Sequence, residues 1–315
     1  MAAAQNDPVG IGQDDTDFVV MSQTPAVGLI GIGLMGEALA LRLIGSGLRV
    51  VGHDLEPAKV RRLEALGGEA APGIAVLVRQ CDPIVLAVFD TDQVEAVVEH
   101  DVLPALDGTS GRTLLCTSTC DPDRIARLGA RVAARGVGFL EVPVSGTSEQ
   151  VKRGEGVGLI GGDREVATRV TPVLSALFPT HFHVGMVGDA GRTKLAINLI
   201  LGLNRVALAE GLVFAQRLGL DPAAFLKVAR GSAAYSQVMD TKGQKMLDRD
   251  FKAEGRARQT LKDVDLMLEQ ARMVGQPLAL LEVHADVLQA CVRAGEGDCD
   301  NSVVFEEIWR RGEKK

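Results

Sequence analysis

Hydrophobic and polar positions change their rhythm near residue 188 and split the chain in two. Before that point short apolar runs alternate with amphipathic stretches. Ala26–Gly31, Arg49–His53, Pro83–Val88, Thr113–Thr117, Gly138–Val142 and His181–Val184 read as strands. Met35–Ile44, Asp92–His100 and Pro122–Ala134 read as helices, and another helix ends near Leu177. Strands separated by helices predict a parallel sheet covered on both faces. Beyond residue 188 every periodic stretch is helical: Asp189–Leu218, Pro222–Arg230, Gln237–Leu247, Gln259–Val274 and Pro277–Ala294, punctuated by Gly219, Gly275 and Gly295. In the first of these, Leu195, Leu199, Leu203, Val206, Leu208 and Leu212 keep helical spacing, and Asp189 stands where a capping residue would. The prediction is an α/β domain over residues 25–187 and an all-α domain over 188–315, joined by one long helix. Residues 1–24 read as a flexible extension, within which Met21 could serve as a start, and Arg310–Lys315 reads as a charged tail that frays.

Composition narrows the partners. The formal charge is −7 and no long Lys/Arg run exists to neutralise phosphates, which argues against sequence-independent nucleic-acid binding. No uninterrupted apolar run reaches the ~20 residues of a membrane span. The N-terminus lacks the basic region of a signal peptide and the arginines of a transit peptide. The five cysteines are odd in number and unpaired in spacing, which predicts reduced thiols and a cytoplasmic setting. The five histidines show no ligand-like clustering, so no metal is expected; His181 and His183 should flank a strand.

Chemistry enters with Gly31-Ile32-Gly33-Leu34-Met35-Gly36. A GxGxxG string alone is weak. Here it follows a strand, opens a helix and leads to a second strand that ends at Asp54, the context of a dinucleotide fingerprint. The first glycine permits the tight turn and the second lets backbone approach a pyrophosphate. The third lets helix pack on strand, with the helix N-terminus facing the phosphates. Asp54 can accept from ribose hydroxyls and would repel a 2′-phosphate, while Leu55 offers no guanidinium, so NAD is favoured over NADP. Lys59, Arg61 and Arg62 read as a solvated helix face. Val88, Phe89, Thr117, Ser118 and Thr119 lie at strand ends that should border the cofactor, although Phe89 also suits a core.

Three further stretches stand out. Ser145, Gly146 and Thr147 form a polar turn that could hold a carboxylate, or merely stabilise itself through its own hydroxyls. Gly156–Gly162 reads as a strand bounded by glycine turns, because Asp163 follows where an anion would be repelled. Lys194 and Asn198 lie four apart near a helix start and share a face. For an isolated pair, a surface lysine and a surface asparagine would be the default.

Taken together, four motifs resemble the β-hydroxyacid dehydrogenase family, whose namesake is 3-hydroxyisobutyrate dehydrogenase, over about Ala26–Ile308. They are Val27–Gly36, Val142-Pro143-Val144-Ser145-Gly146, Gly191–Asn198 and Leu261-Lys262-Asp263-Val264. The resemblance implies a Rossmann-type NAD-binding domain followed by an all-α substrate and oligomerisation domain. It implies a small carboxylate substrate held by Ser145, Gly146 and Thr147, with Lys194 as general acid/base and Asn198 orienting the hydroxyl. Lys262 would approach the cofactor. Members are commonly dimers or tetramers, so a homo-oligomer is expected.

Departures from the family pattern matter too. Glu141 stands for the usual Asp, Thr147 for a second glycine, and Cys116 for an acidic residue. Gly255 stands where an aromatic is common, and Gln237 where tryptophan often follows Ser236. Glu141 and Thr147 imply a carboxylate cradle of different shape. Gly255 and Gln237, in the helical domain, imply a roomier or more polar pocket, one that admits hydroxylated acids such as threonate. Imine reductases resemble the same fold but usually lack the lysine at position 194, and a non-catalytic NAD-binding module would not need Lys194, Asn198 and the Ser145-Gly146 turn together. For Lys194 to act as a base near neutrality, its pKa must fall from about 10.4 toward roughly 7–8.

Overall fold

The computed structural model describes residues 26–106 and 111–313, so the expected extension over residues 1–24 lies outside the described residues. The elements run β1 (Ala26–Ile30), α1 (Leu34–Gly45), β2 (Val50–His53), α2 (Pro57–Ala65), β3 (Glu69–Ala70), α3 (Ile74–Gln80), β4 (Cys81–Leu86), α4 (Thr91–Ala96), α5 (Leu103–Ala105), β5 (Thr113–Cys116), α6 (Pro122–Ala133) and β6 (Gly138–Glu141). They continue with β7 (Val144–Ser145), α7 (Ser148–Lys152), β8 (Val157–Gly162), α8 (Arg164–Arg169), α9 (Thr171–Leu177) and β9 (Thr180–Gly185). The helical half comprises α10 (Asp189–Arg217), α11 (Pro222–Arg230), α12 (Gln237–Asp248), α13 (Ala257–Met273), α14 (Ala279–Arg293) and α15 (Val304–Arg311).

The sheet begins in the order β3-β2-β1-β4-β5-β6, all parallel, which is the doubly wound order with its switch point between β1 and β4. It then departs from the expected parallel sheet. β8 runs antiparallel to β6 and β7 and parallel to β9. The reason is local: β6 turns through Val142-Pro143 into the two-residue β7, and the short α7 returns the chain alongside its own edge. Apolar side chains pack on both faces of the sheet, Ile84, Leu86 and Leu114 on one and Leu29, Val85 and Leu115 on the other, as strands buried on both sides require.

Sequence periodicity missed β3, α3, β7, α7 and α15, each shorter than two and a half turns or a few strand residues. The expected helix Asp92–His100 is α4 followed by a π-helical segment, Val97–Val102, which a 3.6-residue template does not describe. Arg310 and Arg311 do not fray. They lie in α15 and pair with Glu296 at 2.6 Å and with Asp286 at 2.8 Å.

α10 ties the halves together. Its apolar positions pack against α11–α15, forming the core of the helical domain, while its first turns touch β7, β8, β9 and α6. By length and composition alone this helix is long and apolar enough to cross a membrane, although Lys194, Asn198, Asn204, Arg205 and Glu210 interrupt its apolar positions. Lys194, Arg205 and the packing on both sides make it the shared core of two domains. Asp189 does not cap it. Gly188 occupies the N-cap with φ +100, and Asp189 Oδ2 instead accepts from the Met186 N–H at 2.9 Å, closing the preceding turn.

Glu141 takes over the anchoring of that helix start. Its Oε2 accepts from the Gly188 N–H at 2.7 Å, and its Oε1 lies so close to Gly191 that a Cβ there would come within 2.5 Å. Burial pushes the carboxyl up to about 7, against the backbone N–H groups of Gly188 and Gly191. The residue that replaces the family's Asp therefore does not shape the carboxylate cradle. Cys116, its partner in register on β5, is likewise sealed in the sheet.

Candidate active site

A cleft of about 880 Å³ runs from the carboxyl ends of β1, β2 and β4 to the face of α10. Its outer half is built from the glycine loop. Gly31 has φ +94, and a Cβ on it would meet the Ala87 carbonyl oxygen at 2.6 Å. A Cβ on Gly36 would meet the Gly31 carbonyl oxygen at 2.1 Å, so the third glycine is what lets α1 press onto β1. Gly33 differs, since nothing lies within 4 Å of its would-be Cβ and it borders the open cleft. As N-cap of α1 it leaves the first helical N–H groups without side-chain partners. This is the cradle a dinucleotide pyrophosphate requires, and the residues fit it.

Leu34, Met35, Asp54, Leu55, Val88, Phe89 and Thr119 line the same half, as the sequence predicts, whereas Ile32 and Gly36 act from behind it. The Ile32 N–H donates to Asp54 Oδ2 at 2.7 Å, and the Glu56 N–H donates to Oδ1 at 2.9 Å. Lys59 corrects the expected solvated face: it borders the cleft, 3.5 Å from Asp54 and 2.7 Å from Glu56. Lys262 is not on the cleft wall. Its Nζ donates to the Thr119 carbonyl at 2.5 Å and stands 6.0 Å from the Phe89 ring centre, so it bridges the helical domain to the cofactor-side loops.

The inner half brings the remaining candidates together. Ser145, Gly146 and Thr147 line the same cleft as Lys194 and Asn198, and the exposed Gln237 borders it. Gly146 has φ +139, which frees its backbone to turn toward the cleft. Thr147 is largely committed to its own helix: its hydroxyl oxygen accepts from Gln150 N–H at 3.2 Å and its N–H donates to Gln150 Oε1 at 2.9 Å, a capping box on α7. Only its hydroxyl proton is left for a ligand, so the self-stabilised turn holds for this residue and the carboxylate cradle falls mainly to Ser145 and Gly146.

Lys194 is no surface lysine. It is 5 % exposed, and burial brings it down to about 8; the Asp263 carboxylate opposes that shift and the Arg205 guanidinium adds to it. Asn198 donates to Asp263 Oδ2 at 3.2 Å, and Lys262 pairs with the other oxygen at 3.1 Å.

Sequence reading missed several residues of this half: Asp263 as a holder of the Lys194–Asn198 pair, Lys242, Arg205 and His284. Lys242 is buried and pairs with Asp300 at 2.9 Å and Glu254 at 3.2 Å. The signal for Arg205 was present, because Lys194, Asn198, Leu201 and Arg205 recur at the spacing of one helix face.

Comparisons with known proteins agree with this arrangement. A family model described as the NAD binding domain of 6-phosphogluconate dehydrogenase matches residues 26–185. A second, described as NAD-binding of NADP-dependent 3-hydroxyisobutyrate dehydrogenase, matches residues 188–308. The chain is 27 % identical to 2-(hydroxymethyl)glutarate dehydrogenase of Eubacterium barkeri, covering 92 % of this chain and 97 % of that protein. It is 28 % identical to L-threonate dehydrogenase of Cupriavidus necator, over 89 % of this chain and 95 % of the relative. A 3-hydroxyisobutyrate dehydrogenase structure from Salmonella typhimurium superposes with a TM-score of 0.82 at 26 % identity, covering 89 % of this chain and 99 % of that one. With a glycine-loop dinucleotide domain and a long helix carrying a buried lysine, the chain belongs to the β-hydroxyacid dehydrogenase family of NAD(P)-binding oxidoreductases.

Proposed function

We propose that the protein oxidises a small β-hydroxy acid with NAD, with Lys194 as the general acid/base. One observation carries the reading: a buried lysine, tuned to about 8, shares a cleft with a glycine-loop nucleotide cradle and a serine-glycine turn. The substrate carboxylate is held by the Ser145 hydroxyl and the Gly146 N–H. Thr147 adds its remaining hydroxyl proton. Bound along the glycine loop, NAD supplies the hydride acceptor. Neutral Lys194 Nζ takes the proton from the substrate hydroxyl during oxidation, and its ammonium form returns a proton during reduction. Asn198, fixed by Asp263, orients the hydroxyl toward Nζ. Apolar walls from Leu201, Val238 and Met267 limit water near the lysine.

NAD is the proposed cofactor because Asp54 places a carboxylate at the end of β2, where a 2′-phosphate would meet it, and Leu55 beside it is 91 % exposed and uncharged. The cation of Lys59 is engaged by Asp54 and Glu56. The relatives named for threonate and 2-(hydroxymethyl)glutarate support a hydroxylated or branched acid as substrate. The test is a screen of 3-hydroxy and sugar acids, with NAD and NADP in parallel. Reduction of NAD by a β-hydroxy acid, with NADP clearly poorer, is expected. Comparable efficiency with NADP would overturn the cofactor assignment, and no turnover on any acid would overturn the reaction. Exchanging Asp54→Ser and Leu55→Arg together should weaken the NAD preference.

A further inference from the structure

The inner end of the cleft holds a cation that the reaction above does not use. Arg205 lies eleven positions after Lys194 on α10, on the same face; the backbone rise is ~16 Å, but the two side chains reach toward each other closely enough that the guanidinium lowers the Lys194 pKa. It lines the cleft, is 5 % exposed, and among the described residues its Nε and Nη1 have no hydrogen-bond partner. A guanidinium taken out of water without a partner is costly, and buried arginines are ordinarily paired. Burial pulls Arg205 down to about 10, still cationic at neutral pH; the Asp300 carboxylate alone opposes that shift. Asp300 is already committed. It pairs with Lys242, accepts from Ser302 Oγ at 2.8 Å, and takes the backbone N–H groups of Glu254 and Gly255 at 3.0 and 3.2 Å. The carboxylates that line this part of the cleft are engaged as well: Glu254 pairs with Lys242 and Lys245, and Asp263 with Lys262 and Asn198.

Beside Arg205 stands His284 from α14. It is 1 % exposed, it borders the same cleft, and among the described residues neither ring nitrogen has a partner. Gly202 admits it: a Cβ at that position would fall 2.7 Å from His284 Cε1. Burial and the neighbouring guanidinium lower its pKa to about 4, so the ring is neutral and offers one N–H donor. A planar cationic fork and a ring N–H, both buried and unpartnered, suit a carboxylate.

We propose that Arg205 and His284 form a second anion subsite, which takes the distal carboxylate of a hydroxy diacid, or of the matching dicarboxylic semialdehyde. The assignment rests on the reading of Lys194 and Ser145-Gly146 as the site of hydroxyl and proximal carboxylate. It explains why an arginine is kept dry in a cleft that already holds a catalytic cation: the second substrate charge neutralises it. Monoacids would leave the guanidinium uncompensated and bind less well.

The first test needs no turnover. Glutarate and butyrate are titrated by calorimetry into the NADH-loaded enzyme, wild type and Arg205→Met. Glutarate should bind on the order of 10²-fold more tightly than butyrate to wild type, and Arg205→Met should remove most of that advantage while leaving butyrate unchanged. Arg205→Lys should retain part of it. His284→Leu should cost glutarate on the order of tenfold. Equal wild-type affinity for the two probes would overturn the proposal, and so would an equal loss of both in Arg205→Met, the signature of a merely structural arginine. The second test compares oxidation of 2-(hydroxymethyl)glutarate with that of 3-hydroxyisobutyrate, which carries a methyl in place of the carboxyethyl arm. The diacid should be favoured in kcat/KM, chiefly through KM, and Arg205→Met should invert the order. Turnover of the monoacid with no glutarate binding would sink the subsite and leave the reaction standing. Glutarate binding without turnover of either acid would do the reverse.

Discussion

The side-chain amide of Asn198 donates to Asp263 at 3.2 Å, so the residue placed to orient a substrate hydroxyl is held from α13. The same carboxylate acts on Lys194, raising its pKa against the lowering by burial. One buried acid thus holds the Asn198 amide and raises the proton affinity of Lys194, the residues proposed to orient and to deprotonate the substrate hydroxyl.

Asp263→Asn separates these effects, because an asparagine oxygen can still accept from Asn198 while the charge is gone. Oxidation needs neutral Lys194, so kcat/KM for oxidation should rise through pH about 8 and level off above it. Reduction, which needs the ammonium form, should fall over the same interval. Without the attraction of Asp263 the midpoint should move to lower pH. A pH–rate profile of the variant checks this, and an unmoved midpoint would remove Asp263 from the control of the base.

The glycine loop predicts opposite outcomes for two neighbouring substitutions. Gly36→Ala drives a Cβ into the Gly31 carbonyl oxygen, backbone that cannot yield cheaply, and should lower stability by about 1–3 kcal/mol. Gly33→Ala meets no atom of the fold, yet it projects into the cleft. Its Tm should stay near wild type while NADH affinity drops. Thermal unfolding and NADH titration on both variants read the contrast directly.

Much of this architecture was legible because α1, β2 and α10 each carry a strong local pattern: glycines at a turn, an acid ending a strand, apolar residues at helical spacing. The antiparallel return of β8 was not, since β7 has two residues and its pairing is set by contacts distant in sequence. Lys59 was read as solvated because its helix is polar. Only the fold shows that Lys59, near the start of α2, comes within 3.5 Å of Asp54. Arg205 has a signal in its helix-face spacing with Lys194, whereas His284 has none, since it lies on another helix and reaches the site only through packing against Gly202.

Apolar residues left on the surface of the helical domain predict self-association. Ile200 and Phe214 of α10 are each 64 % exposed, and Leu280 of α14 is 69 % exposed. We propose that these residues contribute to a contact between copies of the chain. Light scattering at micromolar concentration should return a multiple of the 33.3 kDa chain mass. A monomer mass across that range would contradict the expectation.

Lys194→Ala is the most direct measure of the account. Loss of a positioned acid/base group should lower turnover by about 10²–10⁴-fold on the best acid from the screen. NADH affinity should remain near wild type, because the glycine loop and Asp54 lie on the other domain. Lys194→Arg should not restore activity, since a guanidinium stays protonated. Asn198→Ala should be milder, losing orientation and keeping the base. Turnover near wild type in Lys194→Ala, with NADH binding intact, would contradict the assignment of Lys194 as the proton-transfer group.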